Sequence, residues 1–64
     1  MNDMDAKYAL RVVREKQVKA FCFVGSCLAT VEDDAVKTRA LELVRMKLLS
    51  TITAIDVAIE EIGS

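Results

Sequence analysis

The chain has no histidine, no tryptophan, no proline and only two glycines. Without histidine there is no imidazole to activate a serine or cysteine nucleophile, and none to ligate a metal. Gly25 and Gly63 are too few for a glycine-rich phosphate loop. Cys22 and Cys27 are too few for a zinc site that lacks other soft ligands. The longest uncharged stretch, 20–31, has twelve residues, well short of the ~20 that span a bilayer. The acidic opening Met1-Asn2-Asp3-Met4-Asp5 is not the basic start of a secretory signal. These absences predict a cytoplasmic protein off the membrane, with reduced thiols, no metal, no cofactor and no enzymatic activity.

What the chain does have is apolar surface. Of its 64 residues, 53% are hydrophobic, and the mean hydropathy is +0.29. That is too apolar for a disordered segment. So short a chain makes one domain with little interior, so the excess predicts self-association.

With no proline to interrupt it, the chain can stay helical over long runs. Leu41, Leu48, Ile55 and Ile62 repeat every seven residues, and Val44, Thr51 and Ala58 follow three residues behind the first three. Ile52 and Ile59 widen this stripe, which has the spacing of a helix with a heptad-like seam. Asp33 or Asp34 can cap its start, and Gly63 stands where a helix C′ residue is expected.

In the first half, Ala6, Leu10, Val13, Gln17, Ala20, Val24, Cys27 and Val31 step alternately by four and three. Asn2, Asp3 and Asp5 supply a cap and favourable charge at a helix N-terminus. The weak point is Phe21-Cys22-Phe23-Val24-Gly25, whose residues suit a strand, with a glycine that costs ~1 kcal/mol inside a helix. The spacing nevertheless predicts a helix over about 3–31, a turn at 32–34 and a second helix over about 34–62.

Two long helices and a short connection make an all-α antiparallel hairpin. Such a fold sets the basic run Lys7, Arg11, Arg14, Lys16 and Lys19 against Asp56, Glu60 and Glu61, with Lys7 expected near Glu60 and Arg11 near Asp56. Both helices carry a second apolar strip: Val36, Ala40, Leu43, Ala54 and Val57 on one, Ala9, Val12 and Phe23 on the other. A hairpin buries one strip per helix, so the second predicts a homo-oligomeric helical bundle, a dimer or larger.

Two groups are candidate ligand contacts. Lys7, Arg11 and Arg14 share a helical face with Tyr8 beside them: guanidinium forks take phosphate bidentately and a tyrosine ring stacks on a base. The alternative is a solvated face that answers the acidic end of the second helix. Thr38 and Arg39 lie in the first turns of the second helix, where backbone N–H groups and positive potential favour an anion. The pI of about 5.2 argues against nonspecific binding to long nucleic acid. Glu32-Asp33-Asp34 lacks the spacing of a calcium loop and reads as capping and solubility. Cys22 and Cys27 diverge on a helix and read as buried small hydrophobes. Gln17, within an apolar seam, either fixes register or points outward.

The run Thr38-Arg39-Ala40, Leu43, Leu48 and Asp56-Val57-Ala58-Ile59 resembles the second helix of the hairpin domain of phage anti-CBASS and anti-Thoeris proteins, which sequester cyclic nucleotide signals. The acidic residue that follows the arginine in that family is replaced here by Ala40. The resemblance implies an oligomeric sponge in which Arg39, and Tyr8 with Lys7 or Arg11, contact a cyclic oligonucleotide. In size and hydrophobic pattern the chain also resembles the plasmid RNA-binding regulator Rop, which implies a dimeric hairpin and an RNA ligand. A third expectation is a protein-interaction or assembly subunit.

Overall fold

The computed structural model describes residues 1–63. They form two helices, α1 (Asp3–Thr30) and α2 (Ala35–Gly63), packed as an antiparallel hairpin. Each boundary lies within one residue of its sequence expectation.

The helix starts are explained by their caps. The Asn2 side chain accepts a hydrogen bond from the Asp5 N–H at 2.9 Å, and Asp3 and Asp5 lie in the first turn, where their charge meets the positive end of the helix dipole. At α2 the cap is Asp34, not Asp33: its Oδ1 accepts from the Lys37 N–H at 3.0 Å. Asp33 instead turns the chain, at φ 45°, a left-handed conformation that aspartate tolerates better than most residues. At the end of α1, the Val31 N–H donates to the Cys27 carbonyl.

The strand-prone stretch 21–25 stays helical, and α1 runs unbroken through Gly25. Arg45 lies against this position: its guanidinium sits 4.4 Å from the centre of the Phe21 ring and within 4.0 Å of where a Cβ on Gly25 would stand. Gly63 departs from expectation. It is the last residue of α2 rather than a left-handed C′ residue, and neither glycine has a positive φ.

The seam packs largely as its spacing requires. Ile52 and Ile55 are the buried residues among those described, and Leu41, Leu48, Ile59 and Ile62 are half-buried beside them. On α1, Ala6, Leu10, Gln17, Ala20, Val24 and Cys27 are half-buried against α2, whereas Val13 stands 43% exposed at the rim. Most of the second strips are open: Val36, Ala40, Leu43, Ala54 and Val57 on α2, and Ala9 and Phe23 on α1; Val12 is half-buried. Cys22 is likewise exposed, contrary to expectation, while Cys27 is half-buried; both are free thiols. The molecule is a rod of 49 × 14 × 14 Å.

An ion pair between Arg14 and Asp56 joins the helices. Arg14 Nε donates to Asp56 Oδ1 at 2.6 Å, with a second, longer contact from Nη2 to Oδ2. Asp56 therefore pairs with Arg14 and not with Arg11. The reason is the tilt of side chains toward a helix's own N-terminus. In an antiparallel pair, Arg14 reaches toward the open end and Asp56 reaches toward the turn. They meet across a difference in level that counting back from the turn does not include.

Candidate functional site

Of the residues singled out in the sequence, Thr38 and Arg39 line one open hollow and Lys7 another, at opposite ends of the rod, while Tyr8 and Arg11 line neither. The turn end is lined by Asp33, Asp34, Ala35, Thr38, Arg39 and Glu42. The open end is lined by Lys7, Val57, Ile59, Glu60, Glu61 and Gly63. Within one hairpin, Thr38 and Arg39 are thus separated from Lys7, Tyr8 and Arg11 by most of the length of the molecule.

At the turn end the helix start is already occupied. Asp34 uses one carboxylate oxygen for the Lys37 N–H, its other oxygen lies 3.6 Å from the Lys37 ammonium, and its backbone carbonyl accepts from the Thr38 N–H. One of the free first-turn N–H groups that an anion needs, that of Lys37, is therefore taken by the cap. Arg39 is exposed and makes no ion pair among the described residues. Its hollow also holds Asp33, Asp34 and Glu42, whose charge opposes an incoming phosphate.

At the open end the basic row is divided among different tasks. Arg14 is committed to Asp56, and the guanidinium is held above its usual pKa by that hydrogen bond first and the carboxylate's charge second. The Lys7 ammonium lies beside Gly63, 3.0 Å from where a Cβ there would stand. No basic residue of α2 itself lies in its last turn, so Lys7 brings from α1 the cation that a helix C-terminus favours. It shares the hollow with Glu60 without closing to the expected ion pair. Arg11 is exposed with no ion pair among the described residues, and Tyr8 is 70% exposed beside it.

The sequence reading missed the Arg45 stack on Phe21 and the shallow groove it forms with Glu42, Met46 and Leu49. The signal lay in levels: counted back from the turn, residue 45 stands nearly opposite residue 21, and an arginine meeting an aromatic ring packs its plane on the face. A second apolar hollow, around Val36, Ala40 and Leu43, lies on the outer edge of α2.

Among the described residues no three histidine, cysteine or acidic side chains gather as a metal ligand set. No helix there is long and apolar enough to cross a membrane. Comparison with known proteins gives no match to a protein family, a curated protein or a solved structure.

Proposed function

We propose that this protein is a non-enzymatic, homo-oligomeric binding module that acts by associating with copies of itself. The observation that carries the reading is its open apolar surface. Ile52 and Ile55 are buried, while Val36, Phe23 and Met46 stand 80%, 70% and 68% exposed. A compact monomer of 7.1 kDa exposes about 4,100 Å², against 5039 Å² here. The radius of gyration, 14.9 Å, exceeds the roughly 11 Å of a compact chain of this length. The excess surface is apolar enough for association to be the favourable way to cover it.

The ligand of such a module is a phosphorylated small molecule, such as a cyclic oligonucleotide, held between protomers. Support comes from the placement of the free cations. Arg39 with Thr38 lies at the turn end, and Arg11 with Lys7 and Tyr8 lies at the open end. Hairpins side by side in opposite directions bring one turn next to the other's open end. The two groups then form one site across the assembly, where arginine forks take phosphate with charge-assisted bonds.

Native mass spectrometry tests both levels, since it reads stoichiometry and retained ligand together. The expected species are multiples of 7.1 kDa. Charge-assisted contacts contribute ~1.5–3 kcal/mol each, so Arg39→Ala weakens a cyclic di- or trinucleotide by about tenfold or more, measured by calorimetry. Binding to an RNA hairpin that falls steeply with salt redirects the account to RNA. An oligomer that binds neither leaves the assembly role.

A further inference from the structure

The hairpin has two flat sides, and they differ in chemistry. One carries Arg14 on Asp56 and Arg45 across Phe21 and Gly25. At 3.6 residues per turn, Val13, Ala20 and Cys27 fall on the opposite flank of the α1 seam, and Val44, Thr51 and Ala58 on the matching flank of α2. These six are spaced seven apart on each helix and carry no charge. Val13 is 43% and Val44 50% exposed; the other four are half-buried. The Thr51 hydroxyl donates to the Lys47 carbonyl of its own helix at 2.9 Å, so covering it strands no polar group.

We propose that this side, built on Val13, Ala20 and Cys27 of α1 and Val44, Thr51 and Ala58 of α2, is where a second copy of the chain docks to form a four-helix bundle. The proposal rests on the self-association reading above and names its surface; Lys7 and Arg11 share the face of Arg14 and stay outside it, so a ligand site that joins them to Arg39 lies between such dimers and not within one. Three observations favour a second copy over a different partner. The seven-residue spacing inside the hairpin continues onto this side of both helices, so the same packing repeats when two such sides meet about a two-fold axis. A side 49 Å long and 14 Å wide offers roughly 700 Å², near the ~800 Å² per partner of a standard stable interface. The six positions themselves carry no charge, Lys16 and Lys47 only border them, and the net charge of the chain is −1, so the charge that meets a like copy is confined to the rim.

The two thiols of the native protein report on the two surroundings, because Cys27 lies on this side and Cys22 does not. We expect alkylation of Cys27, followed by mass spectrometry, to slow by about tenfold or more as protein concentration carries the chain into its oligomer, with Cys22 unaffected. We also expect Val44→Glu and Val13→Glu to return the mass to 7.1 kDa where wild type is dimeric, and Val36→Glu, on the outer edge of α2, to leave it dimeric. If the chain assembles but Cys27 gains no protection, the copies join through another surface: this proposal is overturned and the self-association reading stands. If wild type stays at 7.1 kDa at every concentration, both fall, including where a different protein covers this side.

Discussion

Asp33 holds the turn at φ 45°, while Asp34, next to it, caps α2 through its side chain. The two aspartates therefore respond in opposite ways to substitution. Asp34→Ala removes the cap and costs about 1 kcal/mol. Asp33→Gly relieves a left-handed backbone and is neutral or mildly stabilising, whereas Asp33→Val forces a β-branched side chain into that conformation and destabilises. Thermal melts of the three variants at one concentration check this ordering. Gly25 is helical with room beside it, since an added Cβ meets Arg45 at 3.7 Å, an ordinary contact. Gly25→Ala is accordingly expected to stabilise by roughly 0.5–1 kcal/mol, mainly by restricting the unfolded chain. A loss of stability on denaturant titration would mean that Arg45 cannot accommodate the methyl group.

At the scale of the helices, most of the architecture was legible from spacing. The heptads at 41, 48, 55 and 62 and the steps of four and three from Ala6 to Cys27 follow from helical periodicity alone, and Ile52 and Ile55 became the most enclosed positions. Their truncation is the most costly change within the hairpin: Ile52→Ala or Ile55→Ala should lose about 2–4 kcal/mol, read from urea unfolding. Side-chain direction was less legible. Asp56 meets Arg14 because both side chains lean toward their own helix starts, a tilt that matching levels along the two arms does not capture. The candidate site was legible only as residue types. Arg39, Thr38, Tyr8, Lys7 and Arg11 are all at or near the surface, but periodicity did not reveal that Asp34 uses the Lys37 N–H in the first turn of α2 or that Lys7 lies at its far end. The exposure of Cys22 was legible in the spacing: two residues from both Ala20 and Val24, it lies on the face of α1 opposite the seam.

At the scale of the whole molecule, the hairpin encloses little and leaves much apolar surface in water. Association stabilises the folded chain by mass action, so the melting temperature should rise with protein concentration. The interhelical ion pair is half-exposed, so added salt should screen it without dissolving an assembly held by apolar burial. The most direct test is sedimentation equilibrium of the untagged wild-type chain across the micromolar range. The account predicts a folded species at twice 7.1 kDa or a higher multiple; a helical, monodisperse species of 7.1 kDa throughout that range would contradict it.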